Sequence, residues 1–434
     1  TLVMSQTGTQ RQRGTYWTVY KCDALRRVVY TSEVNIGHAD YDYLWNTWDK
    51  LYVKESFSLT PQANMMTNTG YTRSFYHIHP TTLLTVNYYD TYEFLDLMAD
   101  SVRNHMTFAA FDDNDTCANA KGLLTGTRTY YMDGSGDYSE TAYYYDYRGR
   151  EIQRRSTNHL GGYDVLSTKY DFVSNITNTW ASQSTNNGLT TTEHYQYTYD
   201  HANRPLTTTY TFNNESPIVL QSYHYDELGR VRSRHLHGGI DSVTFAYNIR
   251  DQITQIKSSG YEQKYYYNQQ CPIANDLVRK VYNGNISATT WTYGNTTNGY
   301  MYYYDKMNRL KYTYSILNNG FGDELYSENF SYDLNGNITN LMRGDNQDVM
   351  DYMYLTYNGN QLTKIDDDYE SYSYSAKQYH NNNTSNNDFS YDANGNMLYD
   401  KDRGIAAIRY NLLNLPDTIQ FTNGNQIVHR YDAT

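Results

Sequence analysis

The sequence predicts an all-β architecture: one long antiparallel sheet of β-hairpins, with few short helices. Three observations carry this. A six-residue Tyr-Asp motif recurs along the chain, aromatic residues alternate with others beside it, and the 434 residues include 52 tyrosines while only 39% are hydrophobic. Repeated units stack on their neighbours and bury a continuous core that no unit buries alone. Tyrosine must carry much of that burial, each ring covering about 150–250 Å² while its hydroxyl seeks water or an acceptor.

Well-formed copies begin at Tyr145 (YDYRGR), Tyr199 (YDHANR), Tyr225 (YDELGR), Tyr304 (YDKMNR), Tyr332 (YDLNGN) and Tyr391 (YDANGN). Looser ones begin at Tyr247 (YNIRDQ), Tyr357 (YNGN) and Tyr410 (YNLLNL), and a tenth opens with Tyr431 and Asp432. A type I turn favours Asp or Asn first, where the side chain accepts backbone N–H bonds, and Gly fourth, where φ is positive. Asp146 with Gly149, Asp226 with Gly229, Asp333 with Gly336 and Asp392 with Gly395 fill those places. After Asp200 and Asp305 the fourth residue is Asn203 or Asn308, and Asn tolerates the left-handed region best among non-glycine residues. An aromatic residue two places before the motif Tyr, as in Tyr223/Tyr225 and Phe330/Tyr332, puts each pair on one face of a strand. After the turn, Leu310, Tyr312 and Tyr314 alternate with Arg309, Lys311 and Thr313, so each unit reads as strand, tight turn, strand.

These units resemble the YD repeats of RHS-repeat proteins, a family that includes bacterial polymorphic toxins, insecticidal toxin-complex shells and, distantly, animal teneurins. The resemblance covers residues 125 to 434 well and extends weakly upstream. A single YDxxGR is a poor signal, but nine at related spacing are specific. The resemblance implies that the sheet spirals into a barrel-like stretch of hollow shell wall, secreted or on the bacterial cell surface, that encloses or presents a C-terminal toxin or effector. The family's self-cleaving Asp-Pro segment has no counterpart, because the chain contains no Asp-Pro pair. Neither proteolysis nor toxicity is therefore assigned to any residue.

From the start, residues 22 to 27 (CDALRR) look like a decayed YDALGR in which Arg26 stands where φ should be positive, so the turn is expected to be remodelled. From about 38 to 124 the repeats blur. Trp45, Trp48, Leu51 and Tyr52, and again Phe94, Leu97, Met98 and Val102, follow helical spacing. LLTVNYYD (83 to 90) and KGLLTGTRTYY (121 to 131) read as strands. Residues 1–124 are thus expected to be a degenerate repeat, insert or capping region, continuous with a regular array over 125–434 that stops mid-repeat, as in a fragment or processed product. Motif tyrosines lie 19 to 34 residues apart except across 145 to 199 and 247 to 304. Each of those gaps is expected to hide a degenerate unit, YDFVSN from Tyr170 and the stretch Tyr282 to Asn285. Residues 183 to 192 and 380 to 388 read as exposed polar loops.

A net charge of −12 disfavours a nucleic-acid surface. No apolar run approaches the length of a membrane span. Cys22, Cys117 and Cys271 are too few and too scattered for a disulfide framework or a zinc site. His77/His79 and His235/His237 would each project from one strand face but lack a third ligand. The acidic stretches 112 to 115, 133 to 137 and 366 to 368 suggest calcium, yet Asp133, Ser135 and Asp137 are followed by Tyr144 at the twelfth place instead of Glu. No nucleophile elbow, P-loop or HExxH motif occurs. The expectation is a non-enzyme with no catalytic residue, metal or cofactor. Dense runs at Tyr143 to Tyr145, Tyr265 to Tyr267 and Tyr302 to Tyr304 suit packing better than sugar stacking. Besides the scaffold, two classes stay open: a surface adhesin that binds cell-surface glycans, and a self-assembling structural protein whose sheet edges pair between copies.

Overall fold

The computed structural model describes residues 3–7, 10–11, 14–37, 53–60, 64–66, 68–75, 78–79, 82–103, 120–132, 135–274, 277–322, 326–345, 349–368, 379–381, 387–411 and 413–431. The chain is nearly all β. Twenty-four strands, from Met4–Ser5 to Gln361–Asp367, form one sheet, and five more, from Phe389–Tyr391 to Gln426–Val428, form a second. Each pairing is antiparallel and joins strands adjacent in sequence, apart from the two-residue strand Gly320–Phe321, which the sheet bypasses when Glu328–Tyr332 pairs with Leu310–Leu317. The sheet is open, not closed into a barrel. Asp388 ties the two sheets together: its N–H donates to the Thr363 carbonyl and its carboxylate accepts the Ile365 N–H, both at 2.9 Å.

A bulge recurs at the motif. Tyr225 pairs with Val231, but His224 pairs with Ser233, so Arg232 is an extra residue on the outgoing strand. The same slip occurs at Tyr145, Tyr199, Tyr304, Tyr332 and Tyr391. A turn whose fourth residue is left-handed leads naturally into such a bulge. The bulge corrects one expectation. Because Lys311 is the extra residue, Leu310 pairs with Tyr304 while Tyr312 and Tyr314 pair with Tyr303 and Met301, so Leu310 faces away from the two tyrosines.

The main core lies on one face of the first strands. Val19, Tyr30, Val34, Val86 and Tyr88 are buried there beneath Phe75, Phe94 and Val102. Residues 94 to 102, read as one helical stretch, form a short 3-10 turn Glu93–Leu97 and a single α turn Asp100–Arg103. Trp45, Trp48, Leu51 and Tyr52 lie outside the described residues. The strands at 83 to 90 and 121 to 131 are present as Leu83–Asp90 and Ala120–Tyr130.

The first long gap contains a turn at Asp171, with Ser174 at φ 74° and Asn175 donating to the Asp171 carboxylate. The second differs from expectation. Strand Tyr261–Tyr266 pairs with Ala288–Tyr293, so the incoming strand ends before Tyr267 and not at Tyr282, while the expected turn forms, with Gly284 at φ 99° and the Asn283 side chain accepting the Asn285 N–H. The described part of the intervening insert brings Cys271, Ala274 and Val278 against Ala288, Met301 and Ile316, a second small core.

Candidate functional site

The functional feature with the most regular geometry is the row of motif turns along one rim of the sheet. In each, the carboxylate is the hub. Asp226 accepts the backbone N–H of Leu228 at 3.0 Å and of Arg230 at 2.9 Å on one oxygen, and the Arg230 Nε at 2.7 Å on the other. Gly229 donates back to the Asp226 carbonyl at 2.9 Å and has φ 84°. Asp146, Asp200 and Asp305 repeat this with Arg150, Arg204 and Arg309. Asp333 and Asp392 use Asn337 and Asn396. The fourth-position residues Gly149, Asn203, Asn308, Gly336 and Gly395 have φ 75°, 60°, 61°, 94° and 86°. These contacts hold Asp200 at a pKa of about 2, first through the Arg204 backbone N–H and, after an opposing effect of partial burial, through the Arg204 guanidinium.

The sixth residue of the motif, passed over by sequence reasoning, links one unit to the next. The Arg204 guanidinium lies 4.4 Å from the ring centre of Tyr225, Arg230 4.7 Å from Tyr247 and Arg309 4.5 Å from Tyr332. Each of those tyrosines donates its hydroxyl to the carbonyl just after the same Arg: Tyr225 to Pro205 at 2.7 Å, Tyr247 to Val231 at 2.9 Å and Tyr332 to Leu310 at 2.6 Å. Tyr145, Tyr199, Tyr304, Tyr410 and Tyr431 make the equivalent bond, to Leu124, Ile176, Ile286, Met397 and Pro416. The motif Tyr is thus the clasp that fastens its unit to the preceding one. The recurrent Arg or Asn at the sixth place was the available signal.

The decayed copy at residues 22 to 27 is not remodelled. Arg26 takes φ 66°, Asp23 accepts the N–H groups of Leu25 and Arg27, and the Arg27 guanidinium bridges Asp23 and Asp90 beside the Tyr89 ring. A left-handed non-glycine residue costs about 1–2 kcal/mol. Two carboxylates and an aromatic ring around Arg27 offset that cost.

The other candidate residues are not brought together. His235 lies on strand Val231–Leu236 while His237, at φ 46°, opens a short 3-10 turn, so the two do not share a strand face. Asp366 is ion-paired with Lys364 and Asp367 accepts the Tyr352 N–H. His77, Asp133 and residues 112 to 115 lie outside the described residues. Among the described residues no three His, Cys, Asp or Glu side chains are placed to hold a metal, and no helix is long and apolar enough to cross a membrane. The central residue of each dense tyrosine run is packed: Tyr144 stacks on Tyr92 in the main core, and Tyr266 and Tyr303 pack against the second. On the face that carries Tyr143, a groove of about 690 Å³ is lined largely by hydroxyls, including Thr127, Thr129, Ser139, Thr141 and Ser156, with Arg154, Asp164 and Glu193.

No protein-family model and no curated protein matches the chain. Solved structures do. A Tc holotoxin pore from Photorhabdus luminescens superposes over 99% of this chain with a TM-score of 0.59 at 11% identity. The complex TcdB2-TccC3-Cdc42 does so over 96% with a TM-score of 0.57, also at 11% identity. The long open antiparallel sheet of this chain is thus a fold shared with those Tc toxin chains. The chain spans 18% of the length of either of those proteins.

Proposed function

We propose that this chain is a non-catalytic wall segment of a secreted or cell-surface RHS-type shell whose larger protein encloses or presents a C-terminal effector. The observation that carries the reading is the clasp: most units are fastened to their predecessor by a tyrosine hydroxyl and, in the best copies, by an arginine held between Asp and Tyr. Such nearest-neighbour coupling extends a sheet indefinitely without needing a central core, as a wall requires. The likeness in fold to Tc toxin chains over nearly the whole length supports it. Met66, Tyr71, Phe75, Ile78, Phe94, Met98 and Val102, packed against the core of the first strands, belong to the cap that such arrays need. The hydroxyl-lined groove offers a polar, weakly adhesive surface to an enclosed polypeptide.

The test is intact mass of the native material together with its particle size by electron microscopy. A longer polypeptide, or a cleaved companion retained in a compact hollow particle, is the expected result. A chain ending with this array and forming no enclosed particle overturns the reading.

A further inference from the structure

Tyrosines crowd this sheet, but one pair is set apart by what its hydroxyls share. Tyr195 on strand Thr190–Tyr199 stands directly opposite Tyr210 on strand Pro205–Phe212, so both rings rise from one face. Their ring centres are 4.9 Å apart at an interplanar angle of 46°. That is near the short end of the roughly 4.5–7 Å at which aromatic pairs pack. No other tyrosine pair among the described residues is as close: Tyr130 and Tyr138 come to 5.1 Å, and Tyr352 and Tyr354 to 5.2 Å. Packing accounts for an ordinary cross-strand pair. It does not call for a carboxylate that both phenols reach.

Glu193, two residues before Tyr195 on the same face, accepts the Tyr195 hydroxyl at 3.2 Å, and the Tyr210 hydroxyl hydrogen-bonds to it as well. Burial first, and then the charge and hydrogen bond of Glu193, raise both phenols above their ordinary value. Both are therefore protonated at neutral pH, and neither gives up an electron readily unless its proton leaves too. Glu193 is the acceptor in place for that proton. It is half-exposed and lines the open hydroxyl groove, so water reaches it. A shared acceptor also draws the hydroxyl-bearing edges of the two rings to one point. The carbons beside the hydroxyls, where a tyrosyl radical carries much of its unpaired electron, are thereby brought together.

We propose that Tyr195 and Tyr210 form a site of oxidative cross-linking, in which two equivalents of a one-electron oxidant join their rings as dityrosine with Glu193 as proton acceptor. Each phenol gives one electron to the oxidant and one proton to Glu193, which passes it to water between the two events. The radicals couple through a new carbon–carbon bond between the ring carbons ortho to the hydroxyls. Each of those carbons then loses its hydrogen as a proton while its oxygen takes one back, which restores both aromatic rings. In all, two electrons reduce the oxidant and two protons reach solvent. The motif turn at residues 200 to 203 already closes one end of this hairpin, so the link closes the other. In an array held by nearest neighbours, that hairpin then no longer frays open. The inference is independent of the shell reading, since it concerns one hairpin and not what the wall encloses.

Hexachloroiridate(IV), a one-electron oxidant, added in two equivalents to a dilute solution of the purified chain at neutral pH, tests it. Dityrosine fluorescence is expected on a product that stays monomeric by mass. Cleavage before aspartates cuts the unlinked chain at Asp200 and separates Tyr195 from Tyr210, so mass spectrometry should find those two peptides joined and two hydrogens lighter than their sum. Tyr195→Phe and Tyr210→Phe are each expected to abolish that joined pair. Glu193→Gln, which keeps a hydrogen-bonding side chain of the same size, is expected to slow its formation by about 10²-fold, the lower end of what a positioned base contributes. The rate should recover as pH rises into the range where the phenols ionise unaided, a recovery that a merely structural role for Glu193 would not give. No link between Tyr195 and Tyr210, links spread equally over the other close pairs, or a Glu193→Gln variant that reacts as fast as wild type or fails to recover overturns the inference.

Discussion

The first hundred residues and the array that follows are built on the same sheet, but different physics holds each together. In the first region one ion pair is fully buried. Lys21 and Glu55 form an ion pair at 3.1 Å with neither side chain exposed, and Lys21 also donates to the Val53 carbonyl and Ser74 hydroxyl. At its border with the array, Arg128, buried against Glu140 at 2.7 Å, donates back to the carbonyls of Asn68 and Leu97. In the array the equivalent pair, Arg230 and Asp226, is about a quarter exposed, and most side chains are half-buried. The first region is a compact core whose parts fail together. The array is a chain of neighbours whose parts fail one at a time.

The largest expected effect breaks the compact side of that comparison. Lys21→Ala leaves Glu55 buried without its cation, at a cost of about 3–5 kcal/mol. Chemical denaturation should show the midpoint of the first region falling while hydrogen exchange in strands 205 to 258 is unchanged. A uniform loss of protection across both regions would show that they unfold as one body.

Alkaline titration separates the regions next. Burial raises the phenols of Tyr30, Tyr71 and Tyr88 above the ordinary value of 10.0. Their unfolded forms therefore ionise first. The stability they supply is complete below pH 10 and is lost as pH rises towards the folded values, by about 1.4 kcal/mol per pH unit for each tyrosine. Lys21, lowered by burial from 10.5, acts the other way, adding stability as pH rises towards 10.5 and nothing beyond it. Phenolate absorbance followed with circular dichroism should show cooperative unfolding of the first region above pH 10.5. In the array Tyr145 is pushed up only to about 12, by burial first and then by Glu151 and Tyr143, and a shallower response is expected.

Smaller effects sharpen the array side. Asp226→Ala removes the acceptor for three donors and should cost about 1–2 kcal/mol, with faster hydrogen exchange confined to the hairpins on either side of residues 226 to 230. Gly229→Val forces a β-branched residue into φ 84° and should cost about 1–2 kcal/mol. Glu227→Ala, at an exposed turn position, should change stability by less than about 0.5 kcal/mol. Equal effects of the last two in thermal melts would refute the turn assignment.

Much of this was legible in the residues because it is local. An Asp followed three places on by Gly or Asn specifies its turn through its own backbone, and the alternating aromatics specify the strands. What escaped was whatever needed a second segment to be seen. Arg26 keeps a left-handed turn only because Asp90, distant in sequence, braces Arg27. The extra residue at each bulge is invisible in an alternating pattern until the facing strand fixes the register. The stretch Tyr282 to Asn285 read as a hidden unit because Asn283 and Gly284 are good turn residues, but the strand before it ends at Tyr266, and Cys271 and Val278 pack instead against Met301 and Ile316.

By itself, then, the sequence determined the hairpins, their order and the placing of their turns, since turn chemistry and strand alternation act over a few residues. The tertiary structure alone decided which neighbour each motif tyrosine clasps and which face the insertions cover. Those depend on carbonyls, rings and charges contributed from 16 to 20 residues away, and no local pattern encodes where they will be.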